Sequence, residues 1–397
     1  MTARRKRALL TCSAVHIVHD GLADLTYVLL PLLAQAFGLS LAQVGLIRGA
    51  HRTAMAALQV PAGLLAERVG ERNLLALGTM VTGVAFVALG HASGFFAILA
   101  ALFLAGVGSS VQHPVASTIL SRAYAADGRR AALGTYNFAG DVGKFSFGAM
   151  VSLALLAGIG WQAPVVAFGV VALLASGAVL AFIAIPRLQA SSFPLALTPG
   201  GAGWGIRDRR GFTVLCLIEI LDSSTRAGFL TFVAFLLISA GLAEGWAASA
   251  VPLVFIGGMA GKYACGVLAE RLGVVRMIVV TELLTAGGIL AVIFLPPMVA
   301  FLILPLLGVV LQGTSSVLYA TVGEFVEQDR LPRSFGLFYT VGSVCGIAAP
   351  LGFGLLGDRF GVTVAMATMG ALVLLTLPLA ALLKARYAAA RLSCAAE

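Results

Sequence analysis

Long apolar stretches alternate with short polar breaks along the whole chain. A helix needs about 20 mostly apolar residues to cross a bilayer core. That ruler finds six segments at 9–36, 43–66, 73–91, 95–121, 131–158 and 161–185, and six more at 211–239, 246–269, 275–295, 299–326, 334–356 and 362–383. One polar connection is long: it runs from Pro186 to Arg210 and carries Pro194, Pro199, Gly200, Gly201 and Gly203. The pattern predicts an all-α polytopic membrane protein of twelve transmembrane helices in two pseudo-symmetric six-helix halves, residues 1–186 and 211–397, with a cytoplasmic linker at 187–210. Arg4, Arg5, Lys6 and Arg7 open the chain like a signal-peptide n-region. His16, His19 and Asp20 interrupt the apolar run behind them, so it reads as a retained first helix.

Composition agrees with this picture. Hydrophobic residues make up 60% of the 397 and charged residues only 11%, against about 25% charged in ordinary soluble domains. Such a chain lacks the charged shell of a soluble enzyme. The five cysteines, Cys12, Cys216, Cys265, Cys345 and Cys394, form no C-x-x-C pair and read as small apolar residues. The net charge of +9 is explained by position. Twenty of the 26 lysines and arginines fall at the termini and in alternate connections, with Arg359 alone on the opposite face. That asymmetry predicts both termini in the cytoplasm of a bacterial-type inner membrane, and it removes any need for a nucleic-acid partner. The runs Gly257–Lys262 and Gly140–Lys144 lack phosphate-loop spacing and follow no strand. No cofactor, metal or enzymatic activity is expected.

The halves repeat. Gly63-Leu-Leu-Ala-Glu67-Arg68-Val-Gly70 returns as Gly266-Val-Leu-Ala-Glu270-Arg271-Leu-Gly273, shifted by 203 positions. Gly140 falls near Gly342 in nearly the same register. A duplicated six-helix unit is a transporter architecture with its site between the halves. The two loops read either as conformational latches or as ordinary charged helix ends, and their doubling favours the latch. A look-alike, Gly354-Leu-Leu-Gly-Asp358-Arg359-Phe-Gly361, falls on the opposite face and reads as a tight turn.

On these residues the chain resembles the major facilitator superfamily over essentially its whole length. Within it, His16-x-x-x-Asp20, Gly106-x-Gly108-Ser-Ser-Val-x-His113-Pro114 and Gly140-x-x-Gly143 are similar to the fosmidomycin-resistance branch. The chain departs from that branch pattern at Val115, Asp141 and Lys144. The resemblance implies the major facilitator fold, with the first and seventh helices facing each other across a central cavity.

Ionisable groups inside the membrane are costly, so they are paired or functional. His16 and Asp20, and Asp20 and Asp24, are four apart on one helix face, with His19 beside them. In the seventh helix Asp222 and Arg226 pair in the same way, leaving Glu219 less compensated. The 203 shift sets His16 against Glu219 and His19 against Asp222. If the facing helices bring these groups together, they form a proton-coupling set of Asp20, Glu219, His16, His19, Asp24, Asp222 and Arg226. A static network and a metal site are the competing readings. Arg48, His51 and Arg52 either line the cavity for an anionic substrate or pair with Asp20, Asp24 or Asp141. His113, Asn137, Asp141 and Lys144 complete the candidate substrate site, with Asp141 and Lys144 pairing at i, i+3. Lys262 and Glu282 read as partners for these charges or as peripheral charges, and Tyr136, Gln112, Tyr263, Tyr319 and Tyr339 as candidate cavity aromatics and amides or as packing residues.

The expected function is secondary active transport by alternating access: proton-coupled export of a small anionic or polar solute or drug by a monomer embedded in lipid. Uptake of an organic anion by proton symport is the alternative. A passive facilitator or an intramembrane enzyme is more distant.

Overall fold

The computed structural model describes residues 3–124, 129–183, 204–327 and 331–394. Most of the expected linker, 187–203, lies outside the described residues. The first half comprises α1 (Ala3–Phe37), α2 (Leu41–Val69), α3 (Glu71–Gly90), α4 (Phe95–Ser109), α5 (Gln112–Ala123), α6 (Arg129–Leu156) and α7 (Gln162–Phe182). The second comprises α8 (Arg209–Ser239), α9 (Glu244–Ala248), α10 (Ala250–Leu272), α11 (Val274–Phe294), α12 (Pro297–Val322), α13 (Leu331–Phe360), α14 (Val362–Leu374) and α15 (Thr376–Cys394).

Three crossings are each built from two helices: α4 with α5, α9 with α10, and α14 with α15. Each break sits about one turn before a proline, respectively Pro114, Pro252 and Pro378. A proline ring lacks the N–H that would bond four residues back, which weakens the ladder there, although Pro31, Pro61, Pro305 and Pro350 sit inside unbroken helices. Eleven of the resulting segments are long and apolar enough to cross a membrane. The twelfth, α2, has 29 residues and so spans about 43 Å at 1.5 Å per residue. Arg48, His51, Arg52 and Gln59 make it the more polar crossing.

The sequence repeat is also a packing repeat. In the first half α1 packs on α6, α3 on α7, and α2 on α4. The second half repeats these contacts as α8 on α13, α11 on α14, and α10 on α12. Between the halves α2 meets α13, and the equivalent pair α10 meets α6.

Among the described residues the buried apolar side chains form three clusters. One runs through both halves, from Leu25, Leu29 and Phe147 to Phe232, Val251 and Leu304. The other two stay within one half each. Cys12, Ala66, Leu75, Val115 and Tyr136 form one, and Phe212, Ala269, Met277, Phe325 and Leu383 form the other. These separate clusters flank the repeated Gly63–Gly70 and Gly266–Gly273 loops. Among the described residues the halves therefore share a common apolar core at one end and have separate cores at the end that carries the signature loops.

Candidate functional site

A cavity of about 380 Å³ lies between the halves. Asp24, Tyr27, Arg52, Asp141 and Lys144 line it from the first half. Glu219, Arg226, Lys262, Tyr319 and Tyr339 line it from the second. Of the candidate aromatics, Tyr319 and Tyr339 reach the cavity, whereas Tyr136 and Gln112 are buried elsewhere and Tyr263 is exposed. Tyr27 is a cavity residue that the sequence does not single out. It sits in a long apolar run, where nothing distinguishes a packing tyrosine from a cavity one.

The first-half cluster is dense. Asp20 Oδ1 lies 2.9 Å from His19 Nδ1, 3.2 Å from His16 Nε2 and 3.7 Å from His113 Nε2. Its other oxygen lies 3.2 Å from Lys144 Nζ. His16 Nδ1 donates to the Tyr136 carbonyl at 2.7 Å, and the Tyr136 ring stacks on the imidazole at 3.9 Å. His19 Nε2 donates to the Ser109 carbonyl at 3.2 Å. Gly140 of α6 makes this possible. A Cβ there would stand 2.6 Å from His16 Cε1 and 2.7 Å from Asp20 Oδ2, so a side chain would push α6 off α1. The second half uses the same device: a Cβ at Gly342 of α13 would stand 2.5 Å from Glu219 Oε1.

Asp24 turns away from this cluster toward α2. Arg48 donates to Asp24 Oδ1 at 3.2 Å, to the Ala23 carbonyl at 3.1 Å and to Thr26, and its guanidinium lies 3.7 Å from the centre of the Tyr27 ring. Arg48 is 1% exposed and does not line the cavity. Of the expected basic cavity lining in α2, only Arg52 reaches the cavity, with Asp24 at 3.8 Å. His51 is buried and neither ring nitrogen has a hydrogen-bond partner. The three share one helix face, but that face straddles the α1 contact and the cavity edge: Arg48 lies toward α1 and Arg52 toward the opening. Asn137 is exposed and is not among the cavity-lining residues.

Asp141 and Lys144 pair as expected, at 3.2 Å. Of its two readings Lys262 takes the first, as a partner: it lies 2.9 Å from Asp141 Oδ1 and bridges α10 to α6. Lys144 thus serves Asp20, Asp141 and, at 4.0 Å, Asp24.

The second-half cluster is sparse. Asp222 and Arg226 pair at 3.1 Å, as the spacing predicted. Glu219 is 0% exposed, its nearest cation is Arg226 at 3.9 Å, and neither of its oxygens has a hydrogen-bond partner. Glu282 on α11 is not peripheral: it is 0% exposed, with both oxygens unpartnered. Among the described residues no ion pair joins His16 or His19 to Glu219 or Asp222. The expected meeting of histidines and acids across the cavity is absent in this conformation. Each imidazole is held within its own half by α1, α4 and α6.

The two signature loops fold alike. Gly70, at φ +85°, ends α2 with its N–H on Ala66, and Gly273, at φ +91°, ends α10 with its N–H on Ala269. Gly63 and Gly266 face open space. Arg68, Glu270 and Arg271 are exposed and, among the described residues, in no ion pair. The Glu67 side chain lies outside the described residues. The third look-alike does more than turn the chain. Gly361 supplies the turn at φ +90°, but the Asp358 carboxylate accepts the N–H groups of Leu41 at 2.7 Å and Ala42 at 2.9 Å. A carboxylate of α13 thereby caps the N-terminus of α2 across the halves. The Ser40–Gln43 capping box completes that helix start.

These features agree with comparisons to known proteins. Residues 12–350 match the family model of the Major Facilitator Superfamily. The uncharacterized MFS-type transporter YfnC of Bacillus subtilis (strain 168) is 26% identical over 376 residues, 90% of this chain and 88% of that protein. The fosmidomycin resistance protein of Escherichia coli (strain K12) is 32% identical over 149 residues, 37% of this chain and 36% of that protein. The crystal structure of a bacterial homologue of the human lysosomal transporter Spinster superposes with a TM-score of 0.82 at 16% identity, covering 97% of both chains. With that architecture and that family match, the chain is a multi-pass transporter of a small solute, not an enzyme, and belongs to the Major Facilitator Superfamily.

Proposed function

We propose that this transporter exports a small anionic or polar solute by proton-coupled alternating access across a bacterial inner membrane, with both termini in the cytoplasm. The observation that carries this reading is the make-up of the cavity wall. Arg52, Lys144, Arg226 and Lys262 present cations to the opening, while Glu219 sits beside them buried and unpartnered. Planar guanidinium groups and ammonium groups suit a carboxylate or phosphonate cargo. A carboxylate without a hydrogen-bond partner is a natural site for a proton that leaves when the surroundings change. The shared-core end and the separate-core end supply the two halves of an alternating-access cycle. By the positive-inside reading the separate-core end is cytoplasmic, so the cavity opens inward. The 32% identity with a fosmidomycin resistance protein supports export and makes a phosphonate the first cargo to try.

The test uses inverted membrane vesicles with an imposed pH gradient and labelled fosmidomycin as cargo. Wild-type protein accumulates cargo when the vesicle interior is acid, and dissipating the gradient abolishes accumulation. Glu219→Gln loses the gradient-driven component but keeps cargo exchange. Unchanged proton-driven accumulation in Glu219→Gln would falsify the coupling assignment. Accumulation only in right-side-out vesicles would replace export by anion uptake, for which the basic wall serves equally well.

A further inference from the structure

We infer that His16, His19, Asp20 and His113 form a binding site for a divalent transition cation of the zinc class. This goes beyond the transport reading and does not depend on it. One donor atom from each residue lies within 4.8 Å of every other. The hydrogen bonds show which atoms these are. His16 commits Nδ1 to the Tyr136 carbonyl and His19 commits Nε2 to the Ser109 carbonyl. That leaves His16 Nε2 and His19 Nδ1 turned inward, together with His113 Nε2 and Asp20 Oδ1. Holding the outer imidazole nitrogen on a backbone carbonyl is how proteins fix the tautomer and tilt of a metal-binding histidine.

The spacing suits the same chemistry. Zinc bonds of about 2.0–2.1 Å in a tetrahedron set neighbouring donors about 3.3 Å apart. The nitrogens stand 2.9, 3.2 and 3.7 Å from Asp20 Oδ1, and all four donors lie within 4.8 Å of one another, so an ion would draw the wider pairs together by small side-chain rotations. His16 is 2% exposed, and its Nε2, aimed into the cluster, makes no well-aligned hydrogen bond although Asp20 Oδ1 lies 3.2 Å away. The His113 ring meets both other imidazoles edge-on at 5.2 Å, and its side chain is 41% exposed. Lys144 occupies the second Asp20 oxygen but is shared with Asp24 and Asp141, so its charge is spread over three carboxylates. A donor set of three imidazoles and one carboxylate selects Zn²⁺, Cu²⁺, Ni²⁺ or Co²⁺ over Mg²⁺ and Ca²⁺.

The experiment uses the purified full-length protein in detergent, stripped with chelator and with no gradient applied. Zn²⁺ is titrated by calorimetry, and Co²⁺ by its visible spectrum. The expected result is saturable one-to-one Zn²⁺ binding, an intense tetrahedral-type Co²⁺ spectrum, and no response to Mg²⁺. His16→Ala and His113→Ala should each weaken Zn²⁺ binding by about tenfold or more, as loss of a ligand must weaken binding at least as much as loss of its supporting partner. His91→Ala, at the exposed end of α3, should leave binding unchanged. Should His16→Ala fail to fold, the half-exposed His113 still reports. Wild-type affinity in His113→Ala, a loss that tracks His91, or a pale octahedral Co²⁺ spectrum overturns the assignment. Because binding is read without transport, its failure leaves the export reading standing, and the reverse also holds.

Discussion

The clusters on α1 and α8 occupy equivalent places in the repeat and have opposite character. Around Asp20, three imidazoles and Lys144 converge on one carboxylate. Around Arg226, two carboxylates share one guanidinium, and Glu219 is left 3.9 Å away without a hydrogen bond. The backbone arrangement is the same in both: a glycine of the fifth or eleventh crossing lets it lie against the polar face of the first or seventh. Duplication kept the helix crossing, which packing enforces, and released the side chains to diverge. One half became a neutralised network that ties helices together. The other keeps buried acids that share a single cation, Arg226.

The largest effect is expected from removing Arg226. Arg226→Met strands Asp222 and Glu219 in the interior, and loss of one partner of a buried ion pair costs about 3–5 kcal/mol. Thermal unfolding in detergent should show its largest drop with this substitution. A drop no larger than that of Lys144→Met would mean the second-half acids are not held by this cation. Glu219→Gln should behave differently. It removes a buried charge that lacks a hydrogen bond, so the unfolding midpoint should stay level or rise while gradient-driven transport is lost. A fall in stability would show that Glu219 is a structural partner of Arg226.

Lys144→Met comes next. Three carboxylates lose a shared cation, at about 1.5–3 kcal/mol, tempered because Lys262 still serves Asp141. The first half should tolerate this loss better than the second tolerates loss of Arg226, since the imidazoles remain on Asp20. The smallest effect is expected from Asp358→Ala. Uncapping a helix costs about 1 kcal/mol. Because the cap joins α13 to α2, its loss should favour parting of the shared-core end. Cysteine labelling at Leu41→Cys, with and without the Asp358 substitution, reads this as faster modification. Equal labelling rates would leave Asp358 as a local cap only.

Much of the fold was legible in the chain because it is local. Apolar run length marks the crossings. Pairs on one helix, such as Asp222 with Arg226 and Asp141 with Lys144, follow from helix geometry, which puts residues three or four apart on one face. Which way a helix turns is not local. Arg48 and His51 share the helical spacing of Arg52, yet a guanidinium facing α1 and one facing the cavity are only a turn apart.

The sequence by itself therefore determined the membrane-spanning class, the internal repeat, the signature loops and the pairs within single helices, because hydrophobic length and helical period need no partner. Only the tertiary structure decided that Lys262 belongs to Asp141, that Glu282 is buried with its oxygens unpartnered, that Asp358 caps α2 and that His113 joins His16, His19 and Asp20. Those contacts join residues far apart in the chain. They depend on how closely and at what angle helices cross, which is set by small residues such as Gly140 and by the packing of all the helices together.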